Sequence, residues 1–327
     1  MSIFAQNFQV YSIMAETVKI ENRGKVKITP SGSIFFIIHL LPLLVFVPGL
    51  TGPAGVTVFD WGMCIFLYFL RMYFVTGIYH RYFSHRTYKT SRWFQFVLAF
   101  CAQTTIQKGV LWWAAHHRIH HKTSDTPADP HSMKLYGFWY SHIGWFLGPD
   151  YNETHFDGIK DYAKFPELIW LNKWHWVPPL ALGVFMLFLG AKVNGGDWFA
   201  FSSGWSTLLI GFFLSTAFLF HGTYTINSLT HYFGKARYET GDESKNNLIL
   251  ALITMGEGWH NNHHYYPAST RQGFFWWEID PTFYITKMLA FVGLVWDVQE
   301  VPHYIKHSKN IKEAMELRRI AIEKKAA

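Results

Sequence analysis

The stretch WGMCIFLYFLRMYFVTGIYHRYFSH, Trp61 to His85, decides the fold. Residues 61–79 are apolar almost throughout and rise close to 30 Å at about 1.5 Å per residue, the thickness of bilayer hydrocarbon. His80 and His85 follow at once, where such a span meets water. Working outward, three further runs are long and apolar enough to cross or nearly cross a bilayer: Ile34–Leu50, Trp176–Ala191 and Trp205–Tyr224. The run at Trp176–Ala191 is the shortest and opens on Pro178 and Pro179. Trp93–Ile106 and Phe283–Trp296 are too short to span and read as buried or interfacial helices. Composition agrees, since half the 327 residues are hydrophobic and only 16% are charged against about 25% in ordinary soluble chains.

The basic residues give the spans a direction. Four Lys and Arg precede Ile34, eleven lie in Arg81–Lys173 and twelve lie from Lys235 onward, while the links after the first and third spans hold none and one. The positive-inside rule then puts both termini and the long middle segment in the cytoplasm. The net charge of +7 comes with no nucleic-acid motif, so nucleic acid is not an expected partner. Cys64 and Cys101 lie in apolar runs and read as buried hydrophobes. No compact apolar core with a cleavage site occupies the first thirty residues, so no removable leader is expected.

Nine of the 18 histidines follow this topology: His80 and His85 after the second span, His117, His120 and His121 in the middle segment, His231 after the fourth span, and His260, His263 and His264 beyond it. All would reach one side of the membrane. In both triplets the imidazoles stand at i, i+3 and i+4, on one side of a helix. Asn227 and His231 also lie one turn apart. His80 and His85 are five apart, about 140° round a straight helix, so their convergence needs a helix end or a distortion. Imidazole suits iron, zinc, copper and nickel, and nine divide between two ions as five and four, leaving positions for water, hydroxide or dioxygen. The expected fold is an all-α integral membrane protein, with four transmembrane helices and a cytosolic helical cap holding a di-metal histidine site. Its parts are an N-terminal segment, 1–33, a membrane domain, 34–300, and a charged helical tail, 301–327.

On these residues the chain resembles the membrane-bound stearoyl-type fatty-acyl desaturases, over about residues 34 to 300. Three histidine boxes carry the likeness: His80-Arg-Tyr-Phe-Ser-His85, His117-Arg-Ile-His-His121 and His260-Asn-Asn-His-His264, with Asn227-Ser-Leu-Thr-His231 as a fourth match. The resemblance implies two iron ions held by the nine histidines, with Asn227 reaching a metal through water, and no catalytic side chain beyond these. It implies a dioxygen-dependent oxidoreductase that places a cis double bond, at carbon nine, in a saturated acyl chain carried by coenzyme A, carrier protein or phospholipid. A hydroxylase on the same scaffold, acting on a fatty acyl or alkane chain, is the alternative reading. His116 stands where animal members have an acidic residue and is left out of the ligand set.

No heme-binding His-Pro-Gly-Gly or dinucleotide-binding Gly-x-Gly-x-x-Gly stretch occurs, so electrons are expected from cytochrome b5 or ferredoxin with its reductase, docked on the basic face. The expected membrane is a bacterial inner membrane or the endoplasmic reticulum. By resemblance Gln107, Trp113 and Thr223 line the bend of an acyl tunnel, and Met72 and Tyr68, on the His80 face of the second span, close its far end. Asp129 and Glu257 are expected to accept from ligand imidazoles. Arg71, in mid-span, is expected to point into protein.

Overall fold

A computed structural model describes residue 26 and residues 28–326; most of the expected N-terminal segment, 1–25 and residue 27, lies outside the described residues. Nine helices position the site: α1 (Pro30–Phe46), α2 (Val58–Ser84), α3 (Arg92–Gln103), α4 (Val110–Thr123), α5 (Val177–Gly195), α6 (Phe201–His231), α7 (His260–Tyr265), α8 (Pro281–Phe291) and α9 (Ile311–Ala326). Among the described residues the sheet is a single two-residue ribbon, Lys89–Thr90 antiparallel to Val295–Trp296.

Among the described residues three helices, α2, α5 and α6, are long and apolar enough to cross a membrane. The fourth expected span, α1, is shorter. It starts at Thr29, whose hydroxyl caps Gly32 N, and tightens to 3-10 geometry at Leu41–Phe46 because Pro42 has no N–H to continue the ladder. The tighter half rises about 2.0 Å per residue, so the 17-residue helix still extends about 28 Å. It stops before Pro48 and Gly49, short of the expected end at Leu50.

α2 and α6 run past their expected ends, residues 79 and 224, to Ser84 and His231. Both widen to i→i+5 bonding on the way, over Phe74–Ser84 in α2 and Thr207–Leu214 in α6. Apolar patterning stops at the polar residues, whereas the backbone ladder continues through them, in a wider turn in α2 and in α and then 3-10 geometry in α6.

Two polar knots bind these helices. Asp60, fully buried, accepts from Thr57 N at 2.8 Å, from Asn194 Nδ2 at 3.0 Å and from the Thr207 hydroxyl, joining α2, α5 and α6 at the end far from the histidines. The helices approach closely here: a Cβ at Gly204 would lie 2.2 Å from Leu187 O. Arg71 forms the second knot. It is fully buried and points into protein, as its position requires. Its guanidinium donates to Thr216 Oγ1 at 2.7 Å, Ser215 Oγ at 2.5 Å, and the carbonyls of Leu67 and Phe212 at 3.2 and 3.3 Å. Phe212 lies in the widened turn of α6, so Arg71 supplies a donor where the helix ladder is irregular.

His39 and His221 satisfy each other across α1 and α6, with Nε2 atoms 3.0 Å apart, and His142 Nε2 lies 3.0 Å from His221 Nδ1. The tail helix α9 is mostly exposed and buries Ala314 against Tyr238 and Ile305. Arg71→Ala is expected to strand several buried acceptors and to cost at least about 2 kcal/mol; thermal unfolding of the detergent-solubilised protein will register this as a lowered midpoint.

Candidate metal centre

The wide turn of α2 brings its two histidines together. His85 N donates to His80 O at 3.1 Å, an i→i+5 bond, and the two rings sit 4.8 Å apart between centroids. The distortion required by the spacing of five is therefore built into the helix. In α4 and α7 the triplets obey a second rule. Residues i and i+4 are about 40° apart round a helix, whereas i+3 and i+4 are about 100° apart. Each triplet therefore splits instead of presenting all three imidazoles to one ion. His117 and His121 turn one way and His120 the other; His260 and His264 turn one way and His263 the other.

The split produces two groups, His80, His85, His117, His121 and His263, and His120, His231, His260 and His264. The candidate ligand atoms within each group all lie within 4.8 Å of one another. Nε2 atoms make the close approaches: His80 to His263, His85 to His117 and His121 to His263, each at 2.9 Å, and His231 to His260 at 3.1 Å.

Carboxylates turn the other ring nitrogens outward. His80 Nδ1 lies 2.5 Å from Glu257 Oε2, His120 Nδ1 lies 2.9 Å from Asp129 Oδ1, and His264 Nδ1 lies 2.6 Å from Asp242 Oδ2. His231 Nδ1 faces Asp125 Oδ2 at 3.5 Å. A carboxylate takes a hydrogen bond only from N–H, so Nδ1 of His80, His120 and His264 carries the proton and Nε2 is left as a bare lone pair facing the group. Lone pairs converging in buried space fit a cation between them. Asp129 and Glu257 occupy the places anticipated for them. Asp242 and Asp125 were legible only as loop acids, Asp242 in Thr-Gly-Asp-Glu and Asp125 in Thr-Ser-Asp-Thr.

Electrostatics point the same way. Burial, and then the neighbouring imidazoles, hold His117, His121, His260 and His263 well below the ordinary histidine range, so they are uncharged at neutral pH. His264 is drawn down to about 4 by burial, against the pull of Asp242. At His120, burial is overcome by Asp129 and the net shift is upward. Glu257 is held below the usual carboxylate range: burial opposes this, and His80 and Arg81 prevail. Arg81 anchors that carboxylate at 3.1 Å and Asp280 at 2.8 Å.

A cavity of about 380 Å³ adjoins His117 and is lined also by Gln107, Trp113, Thr223 and Asn227. A hydrogen-bond chain shapes this wall: Trp113 Nε1 donates to Gln107 Oε1 at 3.3 Å, and Gln107 Nε2 donates to Thr223 Oγ1 at 2.9 Å. Trp112 lines the cavity as well. Met72 and Tyr68 do not line it. Gly222 and Leu219 of α6 stand against them instead: Met72 packs with Leu219 and Met255, Tyr68 donates to Ile253 O at 2.9 Å, and a Cβ at Gly222 would touch both side chains. His116, outside both groups, bonds through Nδ1 to Trp112 O at 2.8 Å. Burial holds it down to about 3, so its ring is uncharged.

Residues 57–297 match the family model for fatty acid desaturases. The chain is 35% identical to an sn-1 stearoyl-lipid 9-desaturase of Synechocystis sp., over 88% of this chain and 86% of that protein. It is 35% identical to an sn-1 stearoyl-lipid 9-desaturase of Anabaena variabilis, over 86% and 97%, and 32% identical to an acyl-CoA 5-desaturase of Anemone leveillei, over 78% of each chain.

Asp242→Asn removes the charge that orients His264 and is expected to weaken metal retention about 10–100-fold. Metal analysis of the purified variant after dialysis against graded chelator will check this, with unchanged retention counting against the role.

Proposed function

The chain belongs to the fatty acid desaturase family, and we propose that it converts a saturated acyl chain, on a lipid or coenzyme A carrier, to the cis alkene at carbon nine. The desaturase activity itself rests on the family and on relatives named as 9-desaturases. One observation carries the chemistry: two groups of five and four buried or half-buried imidazoles beside a cavity, their ring nitrogens converging within each group.

In this reading His80, His85, His117, His121 and His263 hold one iron ion, and His120, His231, His260 and His264 hold the other, with Asn227 reaching it through water. Iron fits because imidazole is among its preferred ligands and four or five nitrogens leave positions open. When bound, the metal pair supplies, with dioxygen, an oxidant stronger than any side chain. The reaction balances as one saturated chain, one dioxygen, two electrons and two protons going to one alkene and two waters.

The protein's own part is placement. Glu257, Asp129 and Asp242 fix ring orientation through Nδ1. Gln107, Trp113 and Thr223, locked by their mutual hydrogen bonds, hold the chain bent so that one methylene pair faces the histidines. The apolar wall excludes water from the reacting carbons. Residues 34–300 make up this unit, with α1 as the fourth membrane crossing beside α2, α5 and α6. Lys and Arg are concentrated in the segments that hold the histidines, which supports a cytoplasmic site and an acidic electron donor of the ferredoxin or cytochrome b5 kind. The desaturases named among the relatives favour this reading over a hydroxylase.

Expression in a desaturase-deficient host, with fatty acids analysed by gas chromatography and mass spectrometry and double bonds located by derivatisation, is expected to yield a new carbon-nine alkene. His120→Ala is expected to lower it at least about 100-fold through loss of metal. A hydroxylated chain from the wild type in place of the alkene would overturn the proposal.

A further inference from the structure

One corner of the cavity plays no part in the reaction described above. His116 lines it and is only 3% exposed. Its Nδ1 faces the Trp112 carbonyl, which can only accept, so Nδ1 carries the proton and the ring's lone pair is at Nε2. That Nε2 is buried and has no hydrogen-bond partner among the described residues. A buried acceptor left unpaired is costly, so its place in a cavity wall calls for a donor from whatever fills the cavity.

The neighbours say what kind of molecule this is. Trp112 is shared, with the His116 ring 4.4 Å from it between centroids and the Lys108 ammonium 4.4 Å from its centroid. Lys108 Nζ donates to Tyr151 O at 3.2 Å and to Asn152 Oδ1 at 2.9 Å, two of its three N–H groups. Among the described residues Lys108 is the only Lys or Arg lining the cavity, and no Asp or Glu of them lines it. A single cation suits one ester carbonyl or one phosphate, whereas the several negative charges of coenzyme A would call for more. The same cavity reaches Ser31, Ile34 and Phe35 of α1, and Ile34 is exposed on the outer surface of that apolar helix.

Resting on the desaturase reading, we propose that this corner binds the head of a membrane glycerolipid. Lys108 holds the ester or phosphate next to the acyl chain, and His116 Nε2 accepts a hydroxyl from the head group. His116 thereby selects hydroxyl-bearing lipids over lipids whose head has no donor.

The test uses the full-length, metal-loaded enzyme in lipid nanodiscs, with reduced donor supplied. Distearoyl phosphatidylglycerol and a distearoyl monogalactolipid separate a glycerol from a sugar hydroxyl; distearoyl phosphatidylcholine has no head-group donor, and stearoyl-CoA is the fourth substrate. In pairwise competition at least one hydroxyl-bearing lipid is expected to exceed phosphatidylcholine about tenfold in kcat/KM. His116→Phe keeps a ring on Trp112 but not the acceptor, and is expected to erase that ratio through KM while kcat changes less than about twofold. His116→Gln, which retains an acceptor, is expected to restore part of it. Lipid retained by the purified protein, read by mass spectrometry, should follow the same order without turnover. Equal use of all lipids by the wild type, a preference kept in His116→Phe, or stearoyl-CoA as the favoured substrate would each overturn the proposal while leaving the desaturase intact. No alkene from any of the four would overturn the desaturase reading and this proposal with it.

Discussion

Bringing imidazole lone pairs within about 3 Å of one another in a place without water is uphill unless a positive charge sits among them. The architecture is arranged round that constraint. His80 and His263 meet at 2.9 Å between nitrogens, and so do His85 and His117, each contact joining helices distant in sequence. Acids behind three of the rings keep the lone pairs facing inward, and Arg81 holds one of those acids in place from within α2. Burial serves the same end, because an imidazole that cannot take up a proton keeps its lone pair available. In this arrangement the apolar surroundings and the polar centre support each other.

The histidine groups were legible because their spacing has a period, and the helices were legible because lipid demands long apolar runs. The split of each triplet also follows from the 100° advance per residue, although the sharing of both groups by α4 and α7 required the tertiary placement. Asp242 was not legible, since an acid in a turn looks the same whether it faces water or His264. Helix ends were misjudged for a related reason. His80 and His231 interrupt the apolar pattern but not the backbone ladder, which widens at the first and tightens to a 3-10 turn at the second. Met72 and Tyr68 show the limit of reasoning from one helix face. They share a face with His80, yet Leu219 and Gly222 of α6 are packed against them.

The cavity joins two kinds of surface. One end lies beside His117 and Asn227, next to the histidine groups, and the other carries Lys108, Asn152 and Ser31. Between them Trp113, Gln107 and Thr223 are bonded in series, so the shape of the wall is set by hydrogen bonds rather than by packing alone. That arrangement resists small changes in side-chain volume and is sensitive to loss of a donor or acceptor.

The short ribbon between Lys89–Thr90 and Val295–Trp296 sets an order of events in the life of the chain. Its flanks bind the first histidine turn to the far end of the sequence, through Gln299 N to Thr87 O and Thr270 N to Gln299 O. His80 and His85 are made early in synthesis, while His263 and the ribbon's second strand are made only after the last long helix. The group of five imidazoles can therefore assemble only once His263 has been made, so that the order of synthesis alone makes its closure a late step of folding.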